Sequence, residues 1–203
     1  LSNDNHKEYI KTHDCGTCSE MIVEAYQGFE MMTTLSTACS SAANAIQIGM
    51  ELIQSGRCDV AVVGGSECIT KFHLNGFNTL MILDKEQCRP FDQTRAGINL
   101  GEGAGYLVIE SENSVKRRKV KPLCILSSCA NRCDAFHQTA SSPDGEGAFL
   151  AMNDALKEAG LKPGDIDYVN AHGTGTQGND MSEGKALMRV FGDKMPPVAS
   201  IKS

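Results

Sequence analysis

Two rhythms of apolar positions run through the chain. Residues 18–27 place Met21, Ile22, Ala25 and Tyr26 at helical spacing. Residues 40–54 do the same through Ala42, Ala45, Ile46, Gly49, Leu52 and Ile53, with Gly56 where a C-cap belongs. Residues 148–160 form an amphipathic helix through Phe149, Met152, Leu156 and Ala159, closed by Gly160 and Pro163, and 180–191 predict another helix. Between them lie short apolar runs. "DVAVVGG" (59–65), "YLVIES" (106–111) and "CILSSCA" (124–130) read as strands buried on both faces. "MMTTLSTA" (31–38), "IDYVNAH" (166–172) and "PVASIK" (197–202) also predict strands. Strands alternating with helices imply a layered α/β fold. No linker or low-complexity tract interrupts the pattern.

Composition narrows the function classes. The 203 residues suffice for one large domain with a sizeable core. A net charge of −6 argues against a nucleic-acid surface, because nothing broad would neutralise phosphates. The basic run Lys116–Lys121 reads as a solvated helix end or loop, unless it touches an acidic partner. No apolar run approaches the ~20 residues that cross a bilayer, and no signal-peptide pattern opens the chain. Nine cysteines, an odd number without framework spacing, fit reduced thiols and a cytoplasmic setting. The start at Leu1 and the abrupt "SIKS" end read as cuts from a longer protein.

Three stretches carry candidate chemistry. Cys39 stands at a predicted strand-to-helix junction followed by Ser40, Ser41, Ala42 and Ala43. A helix N-terminus offers partial positive charge and free N–H groups, which favour a thiolate and an oxyanion. A buried cysteine acting as a small hydrophobe is the plain alternative. His172 ends a predicted strand and enters a Gly-Thr-Gly-Thr loop, where glycines admit a ligand and Thr174 and Thr176 offer hydroxyls. Asp180 and Glu183, on the next helix, either face one another or are solvated first-turn acids. Lys202 closes an apolar strand, reaching a carboxylate or a site unless it is simply a solvated terminus. Two other motifs are set aside. The C-x-x-C of Cys15 and Cys18 lacks a buried strand before it, since 6–13 is polar, and lacks a second ligand pair for a metal. "GEGAG" (101–105) precedes a strand instead of joining strand to helix, so its glycines read as packing and not as a dinucleotide loop.

"TACSSAANAI" (37–46), "RPFDQTRAGINLGEGAGYLVIE" (89–110), "VNAHGTGTQGNDMSEGKAL" (169–187) and "SIKS" (200–203) together resemble the β-ketoacyl-acyl carrier protein synthases. Their order and spacing are similar to the elongating type, more than to the initiating type or the thiolases. The resemblance implies a thiolase-like α-β-α-β-α layered fold, here partial. Residues 1–111 would be the latter part of an N-terminal half, and 112–203 the start of a C-terminal half. It implies decarboxylative Claisen condensation of malonyl-acyl carrier protein with an enzyme-bound acyl chain. Cys39 would be the nucleophile, His172 a hydrogen-bond donor to the enolate oxygen, and Lys202 the residue that fixes charge around that histidine. Glu183 matches an acid thought to hold the lysine, with Asp180 beside it. Thr174 and Thr176 match residues bonding the phosphopantetheine arm, and Thr139 a loop position near the channel mouth. No metal or resident cofactor is implied, because the substrates ride on the carrier's phosphopantetheine.

The expected partners are acyl carrier protein and a second copy of the chain, or a related subunit in a heterodimer; the strand over 31–38 would lie near that interface. Nucleic acid and membrane are not expected. Three departures stand out: the family's Gly-His pair after the Lys-Ser and its Phe-bearing C-terminal loop are not among these residues, so this piece alone is expected to be inactive, and Met81 falls where relatives carry an Arg that touches the carrier. The rival reading is a non-catalytic ketosynthase-like subunit; such proteins typically lose the nucleophile, and Cys39 is present.

Overall fold

A computed structural model describes residues 14–203; the polar stretch 6–13 lies outside them. By compactness the chain divides into two units, one holding the residues up to Ser66 with Gly103–Leu123, the other holding Glu67–Glu102 with Cys124–Ser203.

In the first unit, α1 (Thr17–Tyr26) and α2 (Ser41–Gln54) precede β1 (Val60–Glu67), and β2 (Gly103–Glu110) precedes α4 (Glu112–Arg118). The α2 helix follows its periodicity and ends as expected. Gly56, at φ +69°, lets its own N–H reach Ile53 O and that of Arg57 reach Leu52 O, satisfying carbonyls the helix leaves open. The strands β1 and β2 pair, and they run in opposite directions: Ser111 N donates to Asp59 O at one end, while Gly64 meets Gly105 at the other. Helix α2 lies on this pair through small residues. A Cβ on Gly49 would stand 2.5 Å from Val63 Cγ1 and 3.0 Å from Ile109 Cδ1, so a side chain there would force those two to shift. Met50 and Val63 are buried there. Arg117 pairs with Asp59 and Arg118 with Glu110, so the basic run is a helix end, as its composition suggested.

Several expected strands differ. Residues 31–36 form no ladder among the described residues; only an isolated bridge joins Thr37 and Cys39. A strand exists only with a partner, and this unit offers none to that stretch. The run 124–130 is likewise irregular, with Ile125 exposed. β1 and β2 are not buried on both faces: Val60, Val62, Leu107 and Val108 are exposed, which the hydrophobic run alone does not reveal. Nor do Gly101, Gly103 and Gly105 meet anything within 4 Å at an added Cβ. The tight packing sits opposite, where a Cβ on Gly64 would be 2.1 Å from Gly105 O.

The second unit contains α3 (Lys71–Thr79), α5 (Glu146–Ala159), a 3₁₀ turn (Pro163–Asp165), β3 (Val169–Asn170), α6 (Gln177–Phe191) and β4 (Val198–Ala199). The two strands shrink to two residues each and pair in parallel, Val169 with Val198 and Asn170 with Ala199. Helix α6 begins three residues before the predicted Asp180 and packs on α5. Ala186, Leu187 and Phe191 are buried on its inner face, each large side chain contributing about 1.5–3 kcal/mol. Arg189 lies over the Phe149 ring at 3.9 Å and pairs with Glu146, tying the two helices at their polar edge.

Candidate active site

In the first unit, Cys39 is exposed and sits two residues before α2. The turn that presents it is pinned from both sides. Ser40 Oγ donates to Thr37 O at 2.8 Å, and Ser41 Oγ donates to Ala38 O at 2.7 Å while accepting from Thr37 N at 2.8 Å. Asn44 Nδ2, one helical turn on, donates to Thr37 Oγ1 at 2.8 Å. These bonds hold Ala38 at φ +54°, a left-handed conformation that costs a non-glycine residue about 1–2 kcal/mol. The hydroxyls of Thr37, Ser40 and Ser41 and the amide of Asn44 bend the chain here, and the sequence signal is the run of Thr, Ser, Ser and Asn at turn-forming spacing. The N–H groups of Ala42 and Ala43, in the first helical turn, have no carbonyl one turn earlier within the helix to bond. Ala42 also faces the sheet, 3.6 Å from where a Cβ on Gly65 would stand.

The second unit brings together His172, Thr174, Thr176, Asp180, Glu183 and Lys202. β3 and β4 lie side by side, so the loop leaving β3 at His172 meets the chain leaving β4 at Lys202. Lys202 Nζ donates to His172 O and stands 3.4 Å from His172 Nδ1. A protonated ammonium only donates, so Nδ1 is the acceptor and the ring proton belongs on Nε2. Lys202 is therefore tied to the histidine, not a solvated terminus.

Glu183 holds the same peptide from its other side: His172 N donates to Oε1 at 2.7 Å and Gly173 N to Oε2 at 2.9 Å. No ion pair joins Glu183 and Lys202 among the described residues. The expected acid–lysine contact is replaced by two grips on one backbone segment, because successive amides of the loop present a better-matched pair of donors to the carboxylate. Ser200 Oγ adds a bond to Gly173 O at 2.9 Å.

Asp180 is neither solvated nor facing Glu183. It is 4% exposed and accepts from Phe91 N at 2.7 Å, Gly175 N at 3.2 Å and Asn179 Nδ2 at 3.1 Å. Arg95 Nε stands 3.6 Å from its Oδ2, and the same Asn179 amide reaches Glu183 at 3.3 Å. The carboxylate thus ties the segment after Arg89 to the His172 loop. Nothing in a first-turn acid announces this; the clue lay in the "RPFD" and "GNDMSE" blocks together, whose backbone donors it collects. The two threonine hydroxyls meet each other at 2.8 Å.

Thr139 stands apart on the loop before α5, its N–H donating to His137 Nδ1 at 3.2 Å. That loop is anchored by Asp134, whose carboxyl is held below the usual range chiefly by the Ser142 N–H, and by Ser182 of α6, which donates to Ser142 O at 2.8 Å. Met81 is exposed. The C-x-x-C opens α1, where Cys18 Sγ lies 3.0 Å from Ser66 Oγ; this hydroxyl, with Tyr106, lowers the Cys18 pKa.

Residues 26–114 match the N-terminal domain of β-ketoacyl synthases, and 123–203 match the C-terminal domain of the same enzymes. The chain belongs to the β-ketoacyl synthase family. It is 39% identical over 175 residues to 3-oxoacyl-[acyl-carrier-protein] synthase 2 of Staphylococcus aureus, covering 82% of this chain and 43% of that protein. Among solved structures it is similar to the ketosynthase ApeO in complex with its chain length factor ApeC from Xenorhabdus doucetiae (TM-score 0.86, 35% identity, 98% of this chain and 48% of that one). It is also similar to the AntDE:AntF complex, a type II polyketide synthase acyl-carrier protein with its ketosynthase bound to the hexaketide (TM-score 0.90, 28% identity, 97% and 50%). These neighbours bear out the partial thiolase-like α/β fold. The chain spans about half the length of the relatives it matches.

Proposed function

We propose that the protein carrying this chain is an acyltransferase that extends acyl chains by decarboxylative condensation. The Cys39 thiol takes the acyl group from acyl-acyl carrier protein, forming a thioester and releasing the carrier's thiol. Malonyl-acyl carrier protein then loses CO₂, and His172 Nε2–H donates to the enolate oxygen that forms. The enolate carbon attacks the Cys39 thioester, the sulfur leaves as thiolate, and the 3-oxoacyl product remains on the carrier. Covalent capture splits one hard bond formation into two easier steps. Thr174 and Thr176 take the phosphopantetheine arm, and Thr139 lies near its entry. No resident cofactor is required, because the carrier supplies the reactive arm.

The observation that carries this reading is the placement of Lys202 on His172 Nδ1, which leaves Nε2–H as donor for an oxyanion. Reduced cysteines and a carrier-bound substrate support a cytoplasmic enzyme, and no helix among the described residues is long and apolar enough to cross a membrane. The exposed Met31 and Met32, on a stretch without a strand partner among the described residues, support a dimer with a second copy or a related subunit.

The test is CO₂ release from malonyl-acyl carrier protein by the protein at its natural length. His172→Ala is expected to lose at least a hundredfold in CO₂ release while Cys39 still accepts an acyl group. Equal CO₂ release from both would remove His172 from the chemistry. A protein whose Cys39 takes no acyl group would be the non-catalytic subunit instead.

A further inference from the structure

Cys88 has no part in the chemistry above, yet it is 1% exposed and lies directly under the His172 loop. Its backbone is fixed first. Cys88 N donates to Asn99 Oδ1 at 2.7 Å, and Asn99 Nδ2 returns bonds to Glu86 O at 2.9 Å and Asp84 O at 3.2 Å. From that fixed point Cys88 Sγ donates to the carbonyl of Thr174 at 3.2 Å. Burial pushes the thiol's pKa up, and the Asp180 carboxylate pushes it further, so the group stays a neutral S–H donor.

The loop cannot sink or shift around this bond. Gly175, at φ +72°, passes so close that a Cβ there would be 2.7 Å from Cys88 Sγ and 2.6 Å from Gly97 O. On the far side Arg95 Nε reaches Thr176 O at 3.5 Å and Nη2 reaches Gln177 O at 3.4 Å. The carbonyls of Thr174 and Thr176 are therefore both held from the segment 88–95, while the two hydroxyls meet each other at 2.8 Å.

We propose that Cys88 is a positioning residue for the phosphopantetheine arm: its S–H, holding the Thr174 carbonyl, sets the height of the Thr174–Thr176 hydroxyl pair that receives the arm. The assignment rests on the function proposed above, because the hydroxyl pair is given its ligand there. Cys88 touches no substrate and acts through Thr174 alone. A serine at this position keeps an O–H donor on a slightly shorter arm, whereas an alanine removes the donor and little else.

The experiment compares Cys88→Ala and Cys88→Ser in the protein at its natural length. Alanine should raise KM for the acyl-acyl carrier protein roughly five- to tenfold, the factor one lost hydrogen bond implies, with kcat within about twofold. Serine should recover most of the loss. Acylation of Cys39 by an aryl thioester that lacks the arm should be equal in all three proteins. An unchanged KM in the alanine variant overturns the assignment, as does a parallel fall of kcat, KM and melting temperature that serine fails to rescue. Hydrogen exchange at the Gly175 amide, which donates to Asp180 at 3.2 Å, gives a readout independent of turnover. If the unsubstituted protein condenses nothing, the function reading fails. Exchange then decides the positioning claim: acceleration of roughly fivefold in the alanine variant and recovery in serine support it, and equal rates overturn it.

Discussion

Replacing Asp180 by alanine probes the strongest polar junction of the second unit. Its carboxylate accepts from Phe91 N at 2.7 Å and from Gly175 N at 3.2 Å, and it is the anion facing Arg95, whose side chain is 17% exposed. Each buried N–H left without an acceptor costs about 1–3 kcal/mol. Leaving a buried cation without its partner costs about 3–5 kcal/mol. That second cost is reduced here, because Arg95 keeps the carbonyls of Asp92 at 3.0 Å, Gln177 at 3.4 Å and Thr176 at 3.5 Å. The two amides alone come to about 2–6 kcal/mol and part of the cation cost adds to them, so Asp180→Ala should lose at least about 3 kcal/mol, a fall in melting temperature on the order of 10 °C. Asp180→Asn keeps one acceptor oxygen but turns an NH₂ toward a donor, and should lose roughly half as much. The chain has no Trp, so unfolding in urea is followed by far-ultraviolet circular dichroism. A loss below about 1 kcal/mol in the alanine variant would refute the junction as described.

Three further outcomes follow from the same geometry. Glu183→Gln replaces a charged acceptor of the His172 and Gly173 amides by an amide, and should lower the rate of condensation about 10–100-fold, read in steady-state kinetics, while Lys202 stays in place. Asp134 has its pKa lowered mainly by the Ser142 N–H, so its hold on the 134–142 loop is present above about pH 4 and is lost as pH falls through the lowered folded value; exchange at the Ser142 amide should accelerate only below that point, and acceleration already at pH 6 would contradict it. Gly145→Ala, at φ +71° with its new Cβ 2.2 Å from Ser182 O, should destabilise the protein by about 2 kcal/mol or more in the same urea titration.

The sequence made the helices legible and left the strands uncertain, for a physical reason. α2 and α5 carry their own hydrogen bonds and their own stops, so apolar spacing and Gly56 or Gly160 suffice to place them. The stretches 31–38 and 124–130 have strand-like composition, but a ladder needs a neighbour that composition does not name. The site divides the same way. His172 and Lys202 were legible as motif positions, and the parallel pairing of β3 with β4 accounts for their meeting. The acids were misread because their partners are backbone amides distant in sequence: Asp180 takes Phe91 N, 89 residues away, and no local pattern encodes that. Cys88 and Arg95 were overlooked for the same reason. Each sits in or beside the "RPFDQTR" block, and their grips on Thr174 and Thr176 appear only once the loop is folded over them.

The central claim is that Cys39 is the acyl-bearing nucleophile. Mass spectrometry of the natural-length protein, after incubation with acyl-acyl carrier protein, reads it directly. The account predicts one acyl thioester, carried on Cys39 and on no other cysteine, and absent from Cys39→Ala. An unmodified Cys39, or an acyl group mapped to another cysteine, would contradict it.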